Sequence, residues 1–113
     1  MINYTFVKGE AFGEGRKDQE LENKATEVIK LEPYTDLPLI SNSVVIFGGI
    51  CSACFRDDFN NALRNAFALL DAGKEIQVFD SYSGDRVVLN ENRRKRVDRW
   101  WENRLNDGGH YIS

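Results

Sequence analysis

The stretch that decides the fold is residues 43–79, SVVIFGGICSACFRDDFNNALRNAFALLDAGKEIQVF. It begins with an uninterrupted apolar run from Val44 to Phe47. A continuous, β-branched run of this kind is typical of a strand that is buried on both faces. We therefore predict a strand over Ser43 to Phe47 that ends at Gly48 and Gly49.

The rest of this stretch predicts the main core helix and a further strand. Apolar residues recur at helical spacing, and polar residues occupy the opposite face. We predict the helix over about Asp57 to Ala72, with Gly73 as its C-terminal cap, and a strand over Ile76 to Phe79. The apolar face consists of Phe55, Phe59, Ala62, Leu63, Ala66, Phe67 and Leu70, and the polar face of Asp58, Asn61, Arg64, Asn65 and Asp71.

The segments before this stretch are a strand and an ambiguous region. Residues Ile2 to Lys8 alternate between apolar and polar side chains, which predicts a half-buried strand before the loop with Gly9, Gly13 and Gly15. Residues 18–31 fit either a helix or a strand that pairs with the first one, and their Glu, Lys and Gln content favours the helix. Pro33 and Pro38 then bracket an irregular connection.

The C-terminal part predicts a hairpin and a last helix. A turn over Ser81 to Asp85 leads to a returning strand, Val87 to Leu89. Asn90 then caps a helix over about Glu91 to Leu105, which ends before Gly108 and Gly109. The predicted class is α+β: one compact domain over residues 1–113, with a small mixed β-sheet packed by two or three helices.

Composition excludes several function classes. The chain has 113 residues, of which 42% are hydrophobic and 29% charged, so it is neither disordered nor a membrane protein. Its start lacks the features of a secretion signal, and we expect the protein in the cytoplasm. The net charge of −3 argues against a dedicated nucleic-acid binder. The first 50 residues are acidic on balance and the remainder is neutral, so the dipolar surface suits protein partners.

Cys51 and Cys54 form a C-x-x-C motif between the predicted strand and helix. With Val44 to Phe47 before it, this arrangement resembles the redox site of thioredoxin-like proteins, in which a helix N-terminus lowers the pKa of the first thiol. The resemblance covers about 30 residues and implies a thiol–disulfide protein. That family has a cis-proline downstream of the motif, whereas both prolines here lie upstream, and Ile50 stands where an aromatic residue is common. We therefore predict that both cysteines are structural.

The sequence contains few candidate ligands for a metal ion or a cofactor. A structural zinc site needs four ligands, and two cysteines with the single His110 fall short, so we predict no metal and no cofactor. Gly48 and Gly49 would let a phosphate or another small ligand approach a helix N-terminus, but they match no phosphate-binding motif. Asp57 and Asp58 at the helix start are explained by the helix dipole alone. We expect the protein not to be an enzyme.

The last predicted helix carries a basic cluster beside two tryptophans. Trp101 aligns with Val97 and Leu105 and is predicted to be buried, which leaves Trp100 partly exposed among cations. Trp and Arg are the leading anchors of protein interfaces. The predicted partner-binding residues are Trp100, Arg93, Arg94, Arg96 and Arg104.

These observations favour a small protein-binding module over an enzyme. In its short, single-domain and aromatic-rich character the chain looks like the accessory and host-targeting proteins of bacteriophages. That likeness implies an inhibitor that docks on a host or defence protein and blocks it. The alternatives are a thiol–disulfide protein that uses Cys51 and Cys54, and a nucleic-acid binder that uses the last helix.

Overall fold

A parallel sheet lies at the centre of the structure, a computed structural model that describes residues 2–11 and 16–106. Within these residues it has four strands and three helices. In chain order they are β1 (Tyr4–Lys8), α1 (Arg16–Lys24), β2 (Glu27–Lys30), β3 (Val44–Ile50), α2 (Arg56–Asp71), β4 (Glu75–Asp80) and α3 (Glu91–Asn106). The predicted class, in which helices pack on a small sheet, is confirmed. The loop glycines Gly13 and Gly15 and the tail with Gly108, Gly109 and His110 lie outside the described residues.

The sheet is parallel rather than mixed. Its strand order is β2-β1-β3-β4, and each pair of neighbours runs parallel. The prediction of a returning strand over Val87 to Leu89 is wrong. Next to this segment, Arg86 forms an isolated antiparallel bridge with Phe79. The Val87 N–H also donates to the Val78 carbonyl at 2.8 Å. The segment leaves the sheet edge at once because α3 begins at Glu91 and packs on α2 instead.

Two further sequence predictions change in the structure. Residues 18–31 contain both alternatives, because α1 ends at Lys24 and β2 begins at Glu27. The Gly48–Gly49 pair does not end β3, which continues to Ile50 with an irregular register. Gly49 has a φ of 64°, a left-handed conformation that glycine adopts without steric cost.

The sheet buries both of its faces. Val7, Val45, Phe47 and Val78 face the core that α2 and α3 cover, whereas Tyr4, Phe6 and Ile46 face a smaller core beside α1. The central strand β1 is therefore buried along Tyr4 to Val7, and not half-buried as its alternation predicts. A strand between two neighbours needs apolar side chains on both sides once helices cover both faces.

The predicted apolar face of α2 is confirmed at its centre and wrong at its ends. Phe59, Leu63 and Phe67 are buried. Phe55 is 47% exposed because it precedes the first helical residue, Arg56, and Leu70 is exposed in the last turn.

We predict that F59A, L63A and F67A each lower the free energy of unfolding by roughly 2–5 kcal/mol, the usual cost of deleting a large buried side chain. Chemical denaturation followed by circular dichroism measures this loss. The matched control is F55A, which removes an exposed ring and should cost less than about 1 kcal/mol. A loss below about 1 kcal/mol in all three core variants would show that this face of α2 is not buried.

Candidate functional site

The carboxyl ends of the parallel strands form one edge of the sheet, and there the direction of winding reverses. The chain places β2 on one side of β1 and β3 on the other. In open α/β sheets, ligands bind in the crevice outside the carboxyl ends of the strands at such a reversal. Gly9 follows β1 here and donates its N–H to the Gly48 carbonyl at 3.0 Å.

Gly9 permits a close approach that other residues would block. A Cβ atom at this position would lie 2.5 Å from Cγ2 of Ile50 and 2.6 Å from Oδ2 of Asp58. Both distances are shorter than non-bonded carbon contacts allow. The bare backbone of Gly9 therefore lets the first turn of α2 approach the end of β1.

A cleft of about 670 Å³ opens beside this edge, between the residue 31–43 connection, the first turn of α2, and α3. This volume is within the range of small-molecule sites, ~300–1,000 Å³. Its apolar lining includes Pro33, Tyr34, Phe55 and Trp100, and its polar lining includes Cys54, Arg56, Asp57, Asp58 and Asn60.

Side chains of α2 hold the connection that supplies Pro33 and Tyr34. The side-chain amide of Asn65 donates to the Thr35 carbonyl at 3.0 Å, and its carbonyl oxygen accepts the Leu37 N–H at 2.8 Å. Asn61 donates to the same Thr35 carbonyl at 3.3 Å. Both asparagines are buried, although the sequence places them on the polar face of the helix. They are buried because the connection lacks strand partners and its backbone groups need hydrogen bonds.

Asp57 joins three elements at the cleft wall. One of its oxygens accepts the Tyr34 hydroxyl at 2.8 Å, and the other accepts the Trp100 indole N–H at 2.8 Å. Arg104 pairs with it at 3.4 Å, and the Arg104 guanidinium lies over the Tyr34 ring, 4.4 Å from its centroid. The charge of Asp57 is thus compensated, and the residue positions the aromatic lining.

Asp58, the next residue, is in a different environment. It is only 8% exposed, and its Oδ2 accepts the Glu10 N–H at 3.1 Å. Its Oδ1 is buried and has no hydrogen-bond partner among the described residues. Burial raises the pKa of Asp58, and the hydrogen bond from the Glu10 N–H opposes that rise only in part. From the sequence, the helix dipole alone explains an acidic residue at this position. It does not explain why the carboxyl group is buried in a cleft.

One signal in the sequence would have found Asp58. It precedes Asn61 and Asn65 at i, i+3 and i+7, so the three residues lie along one side of α2 next to the apolar face. Polar residues at such an edge position are buried when another segment covers them. For Asn61 and Asn65 that segment is the residue 31–43 connection, and for Asp58 it is the backbone of Gly9 and Glu10.

The Gly48–Gly49 pair does not form a phosphate-binding loop. A Cβ at Gly48 would lie 2.9 Å from the Phe6 ring and 3.0 Å from Oδ1 of Asp18. Asp18 is 4% exposed and accepts the Ser81 hydroxyl at 3.1 Å. A buried carboxylate at this point would repel a phosphate, so Gly48 is explained by close packing.

The two cysteines lie in the turn between β3 and α2. Both are free thiols; Cys51 is buried and Cys54 is exposed at the cleft. Cys54 directly precedes Phe55, the N-cap of α2, and Cys51 lies one turn further back, so the motif leads into the start of the helix. Among the described residues, no group of three or more Cys, His, Asp or Glu could hold a metal ion.

The predicted basic surface of α3 is partly used inside the molecule. Arg94 makes two hydrogen bonds to Asp71, at 2.9 and 2.7 Å, and Arg104 is buried. Arg93 and Trp100 are half-buried, and Arg96 is exposed. A protein-docking role for these five residues stays a prediction, as does the nucleic-acid alternative.

The buried face of α3 also differs from the prediction. Val97 is buried, but Leu105 is 60% exposed and Trp101 is only half-buried. The Arg64 guanidinium of α2 lies 3.9 Å from the centroid of the Trp101 ring. Arginine side chains thus fill part of the α2–α3 interface in place of Leu105.

Comparisons with protein-family models, with curated proteins and with solved structures gave no match. Over the described ranges, 2–11 and 16–106, none of the helices is long and apolar enough to span a membrane.

We predict that R96E leaves the free energy of unfolding within about 0.5 kcal/mol of the wild-type value, since Arg96 is exposed. R94E should lower it by about 1 kcal/mol, because it replaces the pair with Asp71 by a repulsion and removes the cation over the Phe67 ring. Urea denaturation measures both values. Equal losses would show that the Arg94 contacts contribute nothing specific.

We predict that D58N is more stable than the wild type at neutral pH, by about 1 kcal/mol or ~4 °C in Tm. The raised pKa of Asp58 means that the folded state binds its proton more tightly than the unfolded state does. Ionisation of Asp58 therefore lowers stability above the folded pKa, and this penalty disappears below the ordinary pKa of an aspartate. Thermal melts as a function of pH should show the advantage of D58N shrinking in acid.

The matched control for that measurement is D57N. It weakens an ion pair with Arg104 and should lower Tm at neutral pH. A D58N variant that is less stable than the wild type at neutral pH would show that the ionised Asp58 carboxylate stabilises the fold.

Proposed function

We propose that the protein binds a small planar molecule in the cleft at the carboxyl edge of its sheet. The observation that carries this proposal is the Asp58 carboxyl group, which is buried at the cleft with one oxygen unpartnered among the described residues. A buried polar atom without a partner costs about 1–3 kcal/mol. A carboxyl group in a cleft whose pKa is raised by desolvation marks a candidate functional site.

The lining of the cleft indicates the shape of the ligand. Tyr34 and Trp100 stack with ring centroids 6.4 Å apart and planes 15° apart, and Phe55 exposes about half of its surface. Flat aromatic walls favour a flat ring by offset stacking. Asn60 adds an amide that can accept or donate a hydrogen bond.

The charges of the cleft indicate that the ligand donates a hydrogen bond and has no net negative charge. Asp57 is compensated by Arg104, whereas the charges of Glu10 and Lys30 act on Asp58 in opposite directions. A hydroxyl or an amine donating to Asp58 would offset its desolvation. A phosphate or carboxylate on the ligand would be repelled.

Three indole compounds with the same ring and different side chains test this proposal. Tryptamine carries an amine, tryptophol a hydroxyl, and indole-3-acetate a carboxylate. We expect tryptamine and tryptophol to bind at least about tenfold more tightly than indole-3-acetate, because one hydrogen bond to a charged group is worth ~1.5–3 kcal/mol. Chemical-shift perturbation of the labelled protein measures affinity and location together, and the shifts should map to Tyr34, Phe55 and Trp100.

The variant for this experiment is D58N, and its control is D98N, which removes the same charge from an exposed position on α3. We expect D58N to lose the preference for the amine over the carboxylate and D98N to retain it. Preferred binding of indole-3-acetate to the wild type, or shifts that map away from the cleft, would contradict the proposal.

Docking on an acidic protein surface is a second proposal, favoured by the outer face of α3. Lys95, Arg96 and Arg99 are exposed there. Exposed cations suit an acidic partner. Under this proposal R96E weakens partner capture without changing Tm.

A further inference from the structure

The Cys51–Cys54 turn holds two thiols in different environments. The Cys54 backbone N–H donates to the Cys51 sulfur at 3.1 Å, so the Cys51 sulfur lies against the backbone of Cys54. Cys51 is 4% exposed, whereas Cys54 is exposed at the cleft. Cys54 is thus open to solvent, whereas Cys51 is protected.

The turn that holds both cysteines is fixed by its surroundings. The Phe55 N–H donates to the Cys51 carbonyl at 3.1 Å, which closes one helical turn. Between them, the Ser52 N–H and hydroxyl both donate to Asp80, at 3.2 and 2.5 Å. Asp80 ends β4, so the sheet itself positions the cysteine pair.

The sequence predicts a structural role for both cysteines, but from this geometry we infer that Cys51 and Cys54 form a reversible dithiol–disulfide site that reacts with small-molecule disulfides through Cys54. The thioredoxin-like pattern implies the opposite order, because there the first cysteine is the one whose pKa the helix N-terminus lowers. Here the first cysteine is enclosed, so an external disulfide reaches only the second.

Exposure selects Cys54 for the first attack, whereas the protonation of the pair favours Cys51 as the nucleophile of the second. Burial on its own raises the pKa of Cys51, but hydrogen bonds from the Cys54 thiol and from the Cys54 and Ala53 N–H groups hold it below the ordinary value. The hydrogen bond to Cys51 raises the pKa of Cys54. Cys51 is therefore the better thiolate, and it lies next to the sulfur that it has to attack.

The thiol–disulfide exchange takes two steps. The Cys54 sulfur attacks one sulfur of the external disulfide, its proton leaves, and the first small thiol is released. The Cys51 thiolate then attacks the Cys54 sulfur of the mixed disulfide and expels the second small thiol. The protein loses two electrons and two protons, and the external disulfide gains them as two thiols. Closing the bond requires the turn to tighten, because Cβ atoms one helical turn apart are about 5–6 Å from each other and a disulfide needs about 4 Å.

Oxidation by glutathione disulfide, read by intact mass after thiol alkylation, tests the inference. We expect the wild type to lose both alkylatable thiols without gaining glutathione. C51A should accumulate one glutathione adduct on Cys54, and C54S should remain unmodified. The inference is wrong if the wild type accumulates the same adduct as C51A, if C54S reacts as fast as C51A, or if neither the wild type nor C51A reacts.

A second measurement keeps the test valid if C51A proves less stable, which thermal melting will reveal. Iodoacetamide alkylates Cys54 through its thiolate, and Cys51 raises the pKa of Cys54. Alkylation of Cys54 at neutral pH should therefore be severalfold faster in C51A than in the wild type below the melting temperature of both. Equal rates would show that the two thiols do not interact and would overturn the inference.

Discussion

The hydrogen bonds between α2 and the residue 31–43 connection organise this molecule. The chain leaves β2 at the carboxyl edge of the sheet and has to return to the amino edge to begin β3, and it does so without a helix. Its backbone groups cannot remain buried and unpaired, so Asn61 and Asn65 supply partners along the helix. That fixed path holds Tyr34, at a left-handed φ of 60°, against Asp57 and thereby forms one wall of the cleft.

Two adjacent aspartates show how environment divides chemical roles. Asp57 receives hydrogen bonds from an indole and a phenol and pairs with a buried arginine, so its charge holds the structure together. Asp58 receives one backbone hydrogen bond and is otherwise surrounded by protein that does not compensate it. Desolvation makes the second carboxyl group receptive to a proton or to a donor on a ligand. The same residue type, one position apart, is structural in one case and chemically available in the other.

Local pattern predicts the elements of this protein better than their arrangement. The apolar run from Val44 to Phe47 and the stripe of α2 gave the right strand and helix, because both patterns depend on burial alone. The pairing of a strand depends on the path of the chain after it. The pattern of Val87 to Leu89 therefore predicts a hairpin strand, although this segment only runs briefly along the β4 edge of the sheet. Leu105 was misplaced because the long arginine side chains of α2 and α3 cover apolar surface that an aliphatic residue would otherwise fill. Asp58 was missed because a helix N-terminus already gives an acidic residue a sufficient reason to be there.

The isolated bridge between Phe79 and Arg86 has a consequence for self-association. An open sheet presents unpaired backbone groups at its two outer strands, and these can recruit a strand from another chain. At β4, the passing segment accepts and donates backbone hydrogen bonds at Asp80 and Val78, so part of that edge is already occupied. At the other side β2 has only four residues and carries the charged side chains of Glu27 and Lys30. Both edge strands therefore disfavour pairing with a strand of another chain, and this protects the small sheet from aggregation.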